Sequence, residues 1–307
     1  MAQFWGWNNL FFVDFHLLGE TRATHCLPIF FNHADGYNLQ AGIMTGLDRS
    51  ASFQSAVKSA LVKNGRELCL RINAYELRHA GFQNVLKKLL GFFGKKPGEA
   101  HLAVDFQNIG KPLPDIAAFI NTIPDLNDWR SLTVIAGAFP KDLSKLEKNG
   151  QYELPRNDWL IWKNHASTAK SRFPSFGDYT IQHGIFEEHE GKHFNFSASL
   201  RYTADEYWVV MRGEGVLNEN GAGFDQFPAQ AQLLLERSEF RGPQFSHGDM
   251  YIHTMGQQFS KSGHAKDWLV ATFNHHISFA VWQLNNFFAH ANNGAPLFEL
   301  SPSQHAE

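Results

Sequence analysis

The stretch AHLAVDFQ, residues 100–107, decides the fold class. Side chains on a strand alternate between faces, so Leu102, Val104 and Phe106 form one side while His101, Ala103, Asp105 and Gln107 form the other. A parallel strand buried on both faces is apolar throughout. One with a single polar face points instead to a sheet that packs helices on one side and lends polar groups to a lining on the other, as at a barrel interior or mouth. ELCLRIN (67–73) repeats the split, with Leu68, Leu70 and Ile72 set against Cys69, Arg71 and Asn73. GDYTIQH (177–183) sets Asp178, Thr180 and Gln182 against Tyr179, Ile181 and His183, and in LFFVDFH (10–16) Asp14 and His16 share a face. CLPIFFN (26–32) and SLTVIAGA (131–138) are two further strand-sized runs.

Helical periods lie between several of these runs. Phe53, Val57, Ala60 and Leu61 follow Ser52 as cap; Phe82, Val85, Leu86, Leu89, Leu90 and Phe93 form a second stripe; Ile116, Phe119, Ile120 and Ile123 follow Asp115. Repeated strand then helix means a parallel sheet with helical cover. An open doubly wound sheet carries a glycine-rich phosphate loop after an early strand, and neither GxGxxG nor GxxxxGK[ST] occurs, which favours a barrel. The expected architecture is therefore α/β, a TIM-like (β/α) barrel. We read residues 1–290 as a single domain, with a hairpin and helix insertion over 190–250, a C-terminal helix over 265–290 and a polar tail over 291–307. SASLRYTADEYWVVMRGEG supplies the hairpin, turning at Ala204 and Asp205, and Asp225 with Pro228 opens the following helix. In the last helix Leu269, Phe273, Ile277, Ala280, Leu284 and Phe288 make one apolar stripe.

The 307 residues are 43% hydrophobic and 19% charged, which excludes a disordered chain, and a net charge of -3 argues against a general polyanion-binding surface. Cys26 and Cys69 sit in apolar runs, as free thiols of a reducing compartment do, so a cytoplasmic location is expected. MAQFWGWNNLFFVDFHLL lacks the basic start and cleavage site of a signal peptide, and its polar residues break any span, so neither secretion nor a membrane partner is expected. Most of the 28 Phe and 8 Trp must be core, yet so many large rings leave room for an exposed aromatic patch for a partner or oligomer contact.

Five strings together, GAFP (137–140), FGDYTIQ (176–182), LRYTADEYWVVMRG (200–213), FSHGD (245–249) and WLVATFNHHIS (268–278), resemble the family named after the beta protein of phage T4. The resemblance covers most of the chain from about residue 10. It implies a (β/α) barrel and a phage or phage-defence setting, and names no reaction. Family members carry further strand and helix units before the equivalent of FFVDF. With six strands where a closed barrel needs eight, this chain is either truncated, open, or completed by a second chain.

Four groups could carry chemistry. Asp14, Arg71, Asp105 and Asp178 converge on the expected lining, where three acids would hold a divalent metal such as magnesium and the arginine would clamp a phosphate. That arrangement suits metal-assisted hydrolysis of a phosphoester or nucleotide, with Arg71, Asp105 and Asp178 catalytic and Asp14, Asp105 and Asp178 on the metal. The alternative is a buried ion-pair network without turnover, in a binding protein that engages a phage or host protein. Arg201, Tyr202, Arg212 and Asp249 form a second group suited to an anionic substrate, or else an ordinary hairpin. His275 and His276 diverge by about 100 degrees on a helix, so they cannot share one metal alone; either joins the substrate site or is satisfied in the core. HEGKH (189–193) matches H-E-x-x-H, but Gly191 denies it a helix and we expect no zinc there. The lysine pairs 87–88 and 95–96 read most simply as the wet face of a helix and its following loop; with no RNA or DNA module beside them they give only a weak signal for nucleic acid as a partner.

Overall fold

The structure is a computed structural model and describes residues 9–168, 172–185, 196–217, 223–257 and 262–291. The sequence reading treats 1–290 as one domain; by packing, the chain divides into two compact units. The first holds residues up to 138 together with 157–179 and 184–186. The second holds 139–156, 180–183 and the chain from 187 onward.

The first unit is built on six parallel strands: β1 (Phe11–Asp14), β2 (Ala41–Thr45), β3 (Leu68–Asn73), β4 (Ala100–Asn108), β5 (Ser131–Gly137) and, after β6 (Gly150–Pro155) of the other unit, β7 (Ser175–Asp178). They pair in the order β1-β2-β3-β4-β5-β7, a sheet curled into a half-barrel. Among the described residues the two edge strands do not pair with each other, so what these residues form is the half-barrel. Helices α1 (Glu20–Gly36), α2 (Ala51–Asn64), α3 (Phe82–Phe93), α4 (Ile116–Ile120) and α5 (Asn157–Thr168) flank it.

The pairing register fixes which side chains share a face. Asp14, Met44, Cys69, His101 and Ser131 lie in one row; Arg71, Ala103, Thr133 and Ser175 in the next on that face; Asn73, Asp105, Ile135 and Gly177 in a third. The opposite face carries Leu68, Leu70, Ile72, Leu102, Val104 and Phe106, all at most 1% exposed. Phe106 meets Phe119 of α4 with ring centroids 5.1 Å apart, so this is the helical side, as the alternation in AHLAVDFQ requires.

Three local expectations change. CLPIFFN is not a strand but part of α1, whose buried residues Ala23, Leu27, Phe31 and Ala34 recur at four, four and three residues. A short apolar run has no period of its own, and the flanking alanines supply the helical one. The strand expected at 177–183 ends at Asp178, because Thr180 adopts a positive φ of 60°. The cap of α2 is Ser50, which accepts from the Phe53 N–H, rather than Ser52.

The second unit is an antiparallel sheet of β6, β9 (Tyr207–Gly215) and β8 (Ser197–Thr203), in that order, with helices α6 (Gln226–Leu235), α7 (His247–Gln257) and α8 (Ala265–Ala291). Its core gathers Leu200, Val209, Met211, Phe227, Leu234, Ile252 and Trp268. Helix α8 turns the expected way round only in its limits. The apolar stripe read from the sequence is not the buried face: Leu269 is 39% and Ile277 55% exposed and Phe273, Ala280, Leu284 and Phe288 are partly buried, while Trp268, Ala271, Thr272, His275, His276 and Phe279 are buried. Among the described residues no helix is long and apolar enough to cross a membrane. HEGKH lies outside the described residues.

Both cysteines are free thiols, Cys69 buried on the sheet and Cys26 partly exposed on α1. Burial pushes the Cys69 thiol up to about 12, so almost none of it is thiolate at pH 8. In a disulfide-exchange assay at pH 8 the native chain should release one equivalent of chromophore, and a second only after unfolding in urea. Two equivalents released rapidly from the native chain would contradict this placement.

Candidate functional site

The polar groups of the first unit collect where its strands end. Arg71, near the end of β3, is the hub. Its Nε and Nη2 donate to Asp105 Oδ2 at 2.9 and 2.6 Å, its Nη1 to Asp14 Oδ2 at 2.7 Å, and its Nη2 also to the Tyr179 hydroxyl at 2.7 Å. Tyr179 in turn donates to Asp105 Oδ2 at 2.6 Å. The other carboxylate oxygens are occupied too. Asp105 Oδ1 accepts from the Gln107 N–H at 2.7 Å, and Asp14 Oδ1 accepts from the His16 N–H at 2.9 Å and from Arg49 Nη2 at 3.2 Å.

Burial sets the electrostatics. The Asp105 side chain is only 3% exposed, and those of Asp14, Arg49 and Arg71 are 15–17% exposed. Burial alone would loosen the Arg71 proton, but the Asp105 carboxylate, Tyr179 and the hydrogen bond to Asp14 override it and hold the guanidinium above its ordinary value. Burial, then the adjacent Asp105 charge, pushes the Tyr179 phenol up, so it stays a donor.

The β2–α2 loop brings Arg49 and Asp48 alongside. Gly46 makes the approach possible, since a Cβ there would lie 2.6 Å from the Arg71 carbonyl oxygen. Gln54 of α2 pins the loop by donating to the Gly46 carbonyl at 2.6 Å and accepting from Thr45 Oγ1 at 3.0 Å. Glu20 Oε1 accepts the Ser50 N–H at 3.0 Å. After β3 a short 3-10 turn, Ala74–Arg78, opens with a reciprocal cap: Asn73 Oδ1 accepts from the Tyr75 N–H and Glu76 Oε2 from the Asn73 N–H. Burial, with Asp48 adding to it against the Asn73 hydrogen bond, lifts the Glu76 carboxyl above the ordinary range.

These groups line one open cleft of about 410 Å³. It takes His16 from beyond β1, Asp48 and Arg49 from beyond β2, Arg71 and Asn73 with Tyr75, Glu76 and His79 from β3 and its turn, and Asp105 and Gln107 from β4. The carboxyl ends of parallel strands are where α/β folds hold their ligands, because the loops there are free to vary over a rigid sheet.

Of the residues expected from sequence, Asp14, Arg71 and Asp105 are brought together. Asp178 is not: by alternation it shares the face of Phe176, whose ring meets Trp159 and Trp162 of α5 at 5.4 and 5.5 Å. The position expected for its carboxylate is filled by Tyr179, one residue on. Accordingly Asp14, Asp105 and Asp178 do not form a metal set, and among the described residues no group of three or more His, Cys, Asp or Glu side chains is arranged to hold a metal ion.

The second expected group is internal. Tyr202, His275 and His276 are at most 1% exposed. Tyr202 OH donates to Asp249 Oδ1 at 2.7 Å, Ser246 Oγ donates to Asp249 Oδ2, and the Tyr202 and His275 rings stack at 3.6 Å. His275 Nε2 donates to the Thr203 carbonyl at 2.9 Å and its Nδ1 faces Asp249 Oδ2 at 2.9 Å, while His276 Nδ1 pairs with Thr203 Oγ1 at 2.8 Å. Arg201 donates to the Ile181 carbonyl and lies over the Phe139 ring, and burial brings its guanidinium down to about 10. Arg212 donates to the Leu146 carbonyl at 2.7 Å. In place of an open anion site, RYT, FSHGD and NHH knit the hairpin to α7 and α8.

A family model described as Beta protein matches the chain over residues 10–281. The chain belongs to the Beta protein family. No curated protein and no solved structure matches it. In this Beta protein family member the cleft residues that sequence reasoning missed are Asp48, Arg49, Tyr75, Glu76, His79 and, as a working group, Tyr179. The signal for most of them was position just after a strand, and the sequence reading did not single out β2 (AGIMT), which shows no polar–apolar alternation.

Proposed function

We propose that the cleft at the ends of β1–β4 takes a phosphorylated small molecule, and that the protein acts on it as a metal-assisted phosphoester or nucleotide hydrolase. The convergence of polar side chains from four successive parallel strands and their loops on one open cleft carries this reading. Arg49 keeps one N–H on each Nη beyond its bonds to Asp48 and Asp14 and can offer both to phosphate oxygens, while Arg71, with four of its five N–H groups held by Asp105, Asp14 and Tyr179, can add the one left on Nη1. Lining acids outnumber arginines, with Asp48, Glu76 and Asp105 against Arg49 and Arg71, so a phosphate would arrive with a divalent cation. Magnesium that enters on substrate phosphates needs only one or two protein carboxylates, and Asp48, its side chain 66% exposed and its Oδ2 paired with Arg49 Nη1 at 3.4 Å, would supply one through Oδ1. Glu76 would take the proton of the attacking water as its oxygen bonds to phosphorus; the ester P–O bond breaks and the departing oxygen is protonated by solvent. The phage or phage-defence setting and a cytoplasmic location belong to the same proposal.

One observation favours the second reading, a non-catalytic protein that engages a phage or host protein: both oxygens of Asp14 and of Asp105 are already claimed by partners within the site. Thermal unfolding in a panel of nucleotides and sugar phosphates, with and without magnesium, followed by phosphate release, separates the two. The hydrolase reading expects magnesium-dependent stabilisation of about 2.7 kcal/mol at a hundredfold excess over Kd. It also expects Glu76→Gln to keep binding and lose turnover, since the glutamine oxygen can still cap Asn73. No stabilisation by any phosphorylated compound would leave the protein-binding reading.

A further inference from the structure

We propose that Tyr75 is a stacking platform for the planar base of a nucleotide; the inference rests on the phosphate-site reading and adds the half of the ligand that the arginines do not hold. Tyr75 is 52% exposed and lines the cleft. An exposed ring on a mobile loop would mean little, but this one is held. Its N–H is bonded to Asn73 Oδ1 at 3.0 Å inside the reciprocal cap that opens directly from β3. Its ring meets Phe119 at 5.6 Å with the planes 87° apart. Phe119 is 2% exposed and is itself fixed by Phe106 at 5.1 Å and by the Arg78 guanidinium, 3.9 Å over its ring. A perpendicular contact uses the edge of one ring against the face of the other, so at least one face of Tyr75 remains for a ligand. A ring placed in advance loses little freedom on binding, which is the condition for stacking to show as affinity.

A base on Tyr75 would also find a polar edge to read. Gln107 is exposed on the same cleft, its backbone held at a left-handed φ of 53° with its N–H on Asp105 Oδ1. Its side-chain amide carries both a donor and an acceptor. Backbone strain of this kind is retained where the surroundings over-determine it, here through the Asp105 carboxylate.

The test compares magnesium ADP with magnesium pyrophosphate, which has the phosphates and no base, by calorimetric titration of the wild-type chain, Tyr75→Phe and Tyr75→Ala. Stacking of one base predicts that ADP binds the wild type about 10- to 100-fold tighter than pyrophosphate. Tyr75→Phe should keep that ratio. Tyr75→Ala should bring ADP down to the pyrophosphate affinity, with pyrophosphate itself unchanged and all three chains folded by circular dichroism at the titration temperature. Pyrophosphate bound with no preference for ADP, or ADP affinity untouched by Tyr75→Ala, overturns the stacking and leaves the phosphate site standing. Failure of both compounds to bind removes the phosphate site, and the inference with it.

Discussion

Asp105→Asn should lower the unfolding free energy by about 3 kcal/mol, because it breaks one side of a buried ion pair and leaves the other in place. The amide keeps the volume of the carboxylate but not its bonding. Asp105 receives donors on both oxygens, from Arg71 and Tyr179 on one and from the Gln107 N–H on the other. An asparagine must point its NH₂ at one of these sets, donor against donor. Asp14 still engages Arg71, which is why the loss sits at the low end of the range for broken buried pairs. Urea unfolding measures it, and a midpoint equal to that of the wild type would remove Asp105 from the network that holds the arginines.

Gly248→Ala should be of similar size in the other unit, about 3 kcal/mol or outright failure of the second unit to fold. A Cβ at residue 248 would lie 2.0 Å from the carbonyl oxygen of Ala271, an atom of the α8 backbone that cannot swing aside. The Gly248 N–H also donates to Asn274 Oδ1 at 2.8 Å, so forcing α7 and α8 apart breaks that bond and disturbs the Asp249–His275 pair one residue on. Circular dichroism melting of Gly248→Ala tests this, and Asn274→Ala, which removes the bond but not the close approach, should lose much less. An alanine variant as stable as wild type would mean the helices do not pack as described.

What was legible in the sequence was whatever local period could carry. Alternation in AHLAVDFQ and ELCLRIN placed Arg71 and Asp105 on one face and their apolar neighbours against the helices, and the stripe over Phe82–Phe93 and the hairpin around Ala204 stood out for the same reason. Errors came where a period was shared or cut short. CLPIFFN satisfies strand and helix alike, and GDYTIQH stops being a strand two residues in, which moved the working side chain from Asp178 to Tyr179. Asp48, Arg49 and Glu76 could not be read at all, because their placement depends on Gly46 passing close to β3 and on Gln54 holding the loop, contacts made only after folding. Helix α8 misled most directly. Its buried face is a mixed one, Trp268, Ala271 and Phe279 together with His275 and His276, and the two histidines find their partners in Asp249 and Thr203 from other elements.

The open sheet of the first unit ends on strands of four residues, β1 and β7, beside inner strands of up to nine. Unpaired strand edges are templates on which a second molecule can add its own backbone, and shortness is one way natural sheets blunt them. Four residues present too few free backbone groups to hold a foreign strand in register against its loss of freedom. The half-barrel can thus stay open among the described residues without inviting fibril growth, and a change that lengthened either edge strand would bring that hazard back.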